Sequence, residues 1–244
     1  RYNLVPQGIS AEMIADKWEI PRSELDEIGL RSHQLAAQAT EEGRFERETI
    51  PFAVNGDTYV TDQGLRETTL EGLAGLKPAF KEDGKITAGN SSQVSDGAAA
   101  VILTTPEKAK ELGLTPRAKI VDQTTVGVDP VIMLTGPIPA TQRLLERTGL
   151  AIGDVDLFEC NEAFASVVLG WQRELRPDPA NLGQRGGPDR VVRSDADRRE
   201  TAVVAGLERT VEERLAVQPT TGGPRAGGVR AADARRADEP DGGV

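Results

Sequence analysis

Hydrophobic positions are thinly spread over the first third of the chain, dense in its middle, and rare after Trp171. The opening RYNLVPQGIS shows neither a helix start nor a strand start, so it reads as a chain entered in mid-loop, and we expect residues upstream of it. Ser23 can accept a backbone N–H at a helix start, and Asp26 adds negative charge at the positive end of the macrodipole. A helix is therefore predicted from Ser23 to about Glu42, broken by EEGRF. From Arg44 to Lys85 the chain is polar and lacks a strong core pattern. Within it NGDTYVTDQG predicts a hairpin and TLEGLAGLKPAF a short helix stopped by Pro78.

The texture changes at Ile86. GAAAVILTT is a continuous run of small and then branched residues, as in a strand buried on both faces, and EKAKELGL predicts a short helix closed by Gly113. RAKIVDQTTV predicts the next strand. After the Gly/Pro-rich turn VGVDPVIMLTGPIPA, TQRLLERTG predicts a helix capped at its C-terminus by Gly149, and VDLFEC a third strand leading into NEAFASVV. Strands alternating with helices at this spacing imply an α/β layered domain with a largely parallel sheet. Beyond Trp171 the vocabulary shrinks to Arg, Asp, Glu, Ala, Gly, Val, Pro and Thr almost alone. Such a segment buries too little apolar surface to offset its ordering entropy, which predicts a disordered or irregular tail.

Composition narrows the function classes. The 244 residues carry a net charge of −10, and no Lys/Arg face is dense enough to neutralise several phosphates, which argues against nucleic acid. A single cysteine forbids an internal disulfide, and neither a charged-then-apolar leader nor an apolar run of about twenty residues is present. No membrane association and a cytoplasmic setting are expected.

Two stretches can carry chemistry. In NEAFASVV a strand feeds a turn at a helix N-terminus, where free N–H groups and the dipole favour developing negative charge. Asn161 there either holds a water or donates to an oxyanion, or simply caps the helix with Glu162 in its first turn. In TAGNSSQVSDGAAAV, Asn90, Ser91 and Ser92 offer donors and acceptors to an amide-rich ligand. The alternative is an ordinary polar loop turning at Gly89 and Gly97. His33 falls on or near the polar face of its helix and reads as solvated, and Cys160, ending a buried strand, reads as a packed and inert thiol. No metal-ligand spacing occurs, so no metal site is expected.

Taken together, GISAEMIADKW, SHQLAAQA, LAGLKPAF, TAGNSSQVSDGAAAVIL, TVGVDPVIMLTGPIPAT and DLFECNEAFASVV resemble, in this order and spacing, the middle and later parts of a thiolase. The family comprises acetyl-CoA acetyltransferases and acyl-CoA thiolases, and the resemblance runs from Tyr2 to Asn181. It implies a partial layered α/β/α/β/α fold. Residues 1–86 would be the loop region that covers coenzyme A, 87–115 the end of the N-terminal half, 116–181 the start of the C-terminal half, and 182–244 an unrelated tail.

By the same resemblance, Asn161 is the catalytic residue that fixes the oxyanion-hole water, a role in keeping with its place before a helix. Ser92 would hydrogen-bond the pantetheine arm. Phe80, Ala88 and Met133 would line the coenzyme A tunnel, with Ala163 and Phe164 beside them. Small, aromatic and thioether side chains suit an amphipathic pantetheine. Gly72 stands where the family has a Ser touching coenzyme A, so that contact is absent. The implied activity is acyl-CoA C-acyl transfer: Claisen condensation or thiolytic cleavage of 3-ketoacyl-CoA. A coenzyme A thioester is the substrate, no cofactor is covalently bound, and a homo-oligomer forms where the full-length fold is intact. The family's nucleophilic Cys, its Gly-His-Pro histidine and its acid/base Cys have no counterpart here, which implies a catalytically incomplete chain. An acyl-CoA or lipid carrier without catalysis and a non-functional gene remnant are the alternatives.

The resemblance stops where thiolases continue to the Gly-His-Pro segment and a Thr-Gly-Ala-Arg-Leu-Leu helix start. Codons able to specify Asp197-Arg198-Arg199-Glu200-Thr201-Ala202-Val203, read one base later, can encode that second motif. A change of reading frame after Asn181 is the hypothesis. Sequencing the encoding DNA is expected to show a second, thiolase-like frame there, and an intact frame with no such reading would refute it.

Overall fold

Helix α1, Gln7–Lys17, starts immediately after Pro6 and buries Gly8, Ser10, Ala11, Glu12, Ile14 and Ala15. The computed structural model describes residues 2–179 and the backbone of 202–205, all within the first of two compact units, Arg1–Leu207. No helix was expected at α1, because two of its inward positions are polar. Each is satisfied: the Ser10 hydroxyl donates to the Val131 carbonyl at 2.7 Å, and the Glu12 carboxylate accepts the Lys85 and Ile86 amides at 2.9 Å. Partnering of this kind removes most of the cost of burying them.

Helix α2, Arg22–Glu41, follows Pro21, and no side chain caps it, so Ser23 lies inside the helix instead of at its cap. Proline sets the backbone angle at the entry and needs no donor there. The hairpin sits slightly upstream of its expected place. Strands β1, Phe52–Val54, and β2, Asp57–Tyr59, pair antiparallel, with Asn55 at φ 52° and Gly56 at φ 94° forming the turn. Two positive φ values are what a two-residue hairpin with the native strand twist requires, and Asn-Gly supplies them at little strain. Helix α3, Leu70–Ala74, is capped by the Thr69 side chain, which accepts the Gly72 amide, and it ends before Pro78 is reached. Helix α4, Pro106–Glu111, is followed by Gly113 at φ 64°, and α5, Pro137–Thr148, is closed by Gly149 at φ 71°.

Strand β3, Leu157–Cys160, alternates half-buried and buried residues and leads into α6, Ala165–Leu175. Helix α6 is the centre of the core. It packs against α1, α2 and α5 through Ala165, Val167, Val168 and Trp171, joined by Ile14, Leu25, Ile86, Val155 and Phe158. Gly170 lets α1 approach, because a Cβ there would lie 3.1 Å from Ile14 Cγ2 and 3.4 Å from the Trp18 ring. The Trp171 ring meets Phe158 edge-on at 5.1 Å, and its indole N–H donates to the buried Thr141 hydroxyl of α5 at 3.0 Å.

Two expected strands are absent. Residues 97–104 and 117–126 have no regular structure, and Val101, Ile102 and Leu103 are 82, 84 and 72% exposed. A doubly buried strand needs a hydrogen-bonded neighbour on each side, and no described strand flanks these runs. The parallel pairing that does form joins β3 to β4, Ala202–Ala205, in the register Leu157↔Ala202 to Cys160↔Ala205. These four residues depart from the irregular tail expected over 182–244. The proposed frame change at Asp197–Val203 falls largely outside the described residues.

Thr141→Val keeps the side-chain shape of α5 but leaves the Trp171 N–H buried without an acceptor. We expect a loss of about 1–3 kcal/mol in urea unfolding, with Thr141→Ser losing much less.

Candidate active site

Three segments meet at the N-terminus of α6, two of them neighbours in sequence and the third about 70 residues away. The first is the loop Thr87–Ser92, folded on itself by its own polar atoms. The Asn90 side-chain carbonyl accepts the Thr87 amide at 2.9 Å, and the Ser91 hydroxyl donates to the Thr87 carbonyl at 2.7 Å. The Gly89 amide donates to the Thr87 hydroxyl at 3.2 Å. Two glycines let the loop approach its supports. A Cβ on Gly29 of α2 would lie 2.2 Å from the Gly89 carbonyl oxygen, and one on Gly89 would lie 2.3 Å from Leu73 Cδ2. Neither position has room for a side chain.

The second segment is Asn161–Phe164, between β3 and α6. Ser91 and Phe164 form an isolated antiparallel bridge, in which the Ser92 amide donates to the Ala163 carbonyl at 2.9 Å and the Ala165 amide to the Asn90 carbonyl at 3.0 Å. The first amide of α6 thus anchors the loop, whereas a free N–H had been expected at this helix end. The third segment is the chain after α3. Its Phe80 ring packs edge-on against Phe164, with centroids 5.9 Å apart at 77°, over a glycine of α1: a Cβ on Gly8 would lie 2.2 Å from the Phe80 ring.

The residues singled out from sequence therefore gather. Ala163, Phe164 and Phe80 form the junction, and Ala88 and Ser92 lie exposed on the loop bonded to it. Among the described residues the Ser92 hydroxyl has only a long bond, 3.3 Å, to the adjacent Gln93 carbonyl. Met133 enters from a different turn, half-buried against the same core, and that turn is tied to α1 by the Ser10 bond to Val131. Asn161 does not cap the helix. The cap position is Phe164 and has no side-chain bond, while Asn161 is exposed and its amide is tied to no other described side chain. Its neighbour Glu162 is held to α2, where the Ser32 hydroxyl donates to the Glu162 carboxylate at 2.6 Å.

Two lone residues fall outside this junction. His33 lies one position beyond Ser32 on α2 and is half-buried, not fully solvated as expected. Cys160 is 5% exposed. Burial, with the negative charges of Glu159 and Glu162 added, pushes its thiol up to about 12, so it is protonated at neutral pH and poorly nucleophilic. Among the described residues no three His, Cys, Asp or Glu side chains gather as a metal site needs. Beneath the loop lies an ion pair that was not expected from the sequence, with Asp26 buried and Arg22 half-buried. Arg22 Nε donates to both Asp26 carboxylate oxygens at 2.8 and 2.7 Å, and the Asn90 amide donates to Asp26 at 2.9 Å. The i, i+4 spacing of Arg22 and Asp26 was the available signal.

The family model described as "Thiolase, N-terminal domain" matches residues 1–107, and that described as "Thiolase, C-terminal domain" matches 114–189. The chain belongs to the thiolase family. It is 45% identical over 183 residues to the steroid 3-ketoacyl-CoA thiolase FadA6 of Mycobacterium tuberculosis, covering 75% of this chain and 45% of that protein. To the acetyl-CoA acetyltransferase of Syntrophomonas wolfei it is 48% identical over 178 residues, covering 71% and 45%. The crystal structure of the dimeric peroxisomal thiolase of Saccharomyces cerevisiae superposes with a TM-score of 0.72 at 42% identity, covering 75% of this chain and 47% of that one. This thiolase chain thus spans about half the length of the relatives it matches.

Iodoacetamide at pH 8 should alkylate Cys160 about a hundredfold or more slower in the native protein than in urea. Mass spectrometry of timed samples gives both rates, and equal rates would contradict the buried thiol.

Proposed function

We propose that this chain serves thiolase-type acyl-CoA C-acyl transfer and supplies the coenzyme A-binding and oxyanion side of the reaction. One observation carries the reading: Phe80, Phe164, Ala163 and the loop bearing Ala88 and Ser92 converge beside an exposed Asn161 whose amide bonds to no other described side chain. In this reading the edge-packed Phe80 and Phe164, with Ala88, Ala163 and Met133, form an apolar wall for the pantetheine arm, and the Ser92 hydroxyl bonds its amides. A primary amide at Asn161 holds a water that donates to the thioester oxygen as negative charge develops on it.

Acyl transfer also requires an activated thiolate to accept the acyl group and a base for the α-proton. Neither is at hand among the described residues. The Cys160 thiol is buried and protonated, and His33 belongs to α2. The chain by itself therefore holds a coenzyme A thioester without cleaving or condensing it. The substrate is the thioester, with no covalently attached cofactor. Assembly is with copies of the same fold, a proposal supported by the dimeric relative of known structure. No described helix is long and apolar enough to cross a membrane.

Isothermal titration of the chain with coenzyme A is expected to give saturable heat, and Phe80→Ala to weaken the affinity about tenfold through loss of ring packing. Absence of saturable heat would overturn the reading. Turnover of acetoacetyl-CoA by the purified chain would overturn its catalytic incompleteness.

A further inference from the structure

The loop assigned to the pantetheine arm rests on the Arg22–Asp26 ion pair. Asp26 is 4% exposed and Asn90 3%. Asp26 accepts from Arg22 Nε with both oxygens and from the Asn90 amide with Oδ1, while Arg22 Nη2 donates to the Leu73 carbonyl at 2.6 Å and the Leu76 carbonyl at 3.2 Å. The other bonds of Asn90 fix the loop from within. Its amide also donates to the Lys85 carbonyl at 3.1 Å, its side-chain carbonyl accepts the Thr87 amide, and its main-chain carbonyl accepts the Ala165 amide of α6. One connected network therefore runs from the end of α3 through Arg22, Asp26 and Asn90 to the first turn of α6. The loop and the first turn of α6 that it joins both border the junction.

We infer that Asp26 is a positioning residue for coenzyme A binding, setting through Asn90 the placement of the Ala88–Ser92 loop against Ala163 and Phe164. The inference rests on the function proposed above and adds a residue that lies outside the ligand's reach. The physical reason is directional. A carboxylate whose two oxygens share the Arg22 Nε–H, with the guanidinium itself held by the Leu73 and Leu76 carbonyls, has its lone pairs fixed in space, so the Asn90 amide has one low-energy orientation, and the backbone on either side follows it. An apolar residue at position 26 can fill the volume but imposes no orientation.

The test uses the full chain with Asp26→Ala and Asp26→Asn, the latter keeping an acceptor for Asn90. In Asp26→Ala, amide hydrogen exchange followed by NMR is expected to lose about tenfold or more of its protection at Ser92 and Ala165. Val168 and Trp171 in the body of α6 should keep theirs. The coenzyme A dissociation constant should rise about tenfold in the same variant. Asp26→Asn should recover part of both effects. Protection lost evenly along α6, or unchanged at Ser92 and Ala165, overturns the inference, as does unaltered affinity where the parent chain binds. A parent chain that gives no saturable heat removes the functional reading. The exchange pattern then still decides whether Asp26 orders the loop, and an unchanged pattern removes that as well.

Discussion

Two main-chain hydrogen bonds, Ser92 N–H to the Ala163 carbonyl and Ala165 N–H to the Asn90 carbonyl, fasten a polar loop to the start of a helix packed against α1, α2 and α5. Helix α6 is immobilised by Trp171, Val168 and Val167 in the core, so whatever is bonded to its first turn inherits that rigidity. The loop has no apolar side chain of its own to bury between Thr87 and Ser92 except Ala88, which is exposed. Its position must come from directional bonds, and these two supply the link to the core.

The same constraint explains why so many polar groups are buried around this junction. Ser10, Glu12, Asp26, Thr87 and Asn90 are each at most 4% exposed, and each has hydrogen-bond partners. Glu12 receives the amides that lead into the loop, Ser10 holds the turn bearing Met133, and Asp26 orients Asn90. A wholly apolar interface would give similar burial with less control over backbone placement. A binding site for a long flexible arm depends on that control, since pre-organised contacts reduce the ordering cost of association.

Chemical capacity is divided unevenly. The one thiol is in the core, where desolvation keeps it protonated, and the Asn161 amide is exposed and does not cap α6. The lengths of apolar chain at Val101–Leu103 and Ile120–Val121 lie in solvent for a related reason. They have the composition of interior strands but no described strand to pair with.

Local chemistry was legible in the sequence. The Asn55-Gly56 hairpin, the left-handed Gly113 and Gly149, the strand Leu157–Cys160 and the helix that follows it all rest on residues that fix their own backbone angles or on short-range periodicity. Phe80, Ala88, Ser92, Ala163 and Phe164 were named through the order of motifs, and the fold gathers Phe80, Ala163, Phe164 and the loop bearing Ala88 and Ser92 at the start of α6. Helix α1 was not legible, because its buried Ser10 and Glu12 look like surface until partners more than 70 residues away are supplied. Nor was it decidable whether Asn161 caps α6, since that depends on Asn90 taking the first helical amide. Backbone preference is a property of neighbouring residues and can be read in order along the chain. Burial of a polar group is a property of who meets it, and only the folded arrangement decides that.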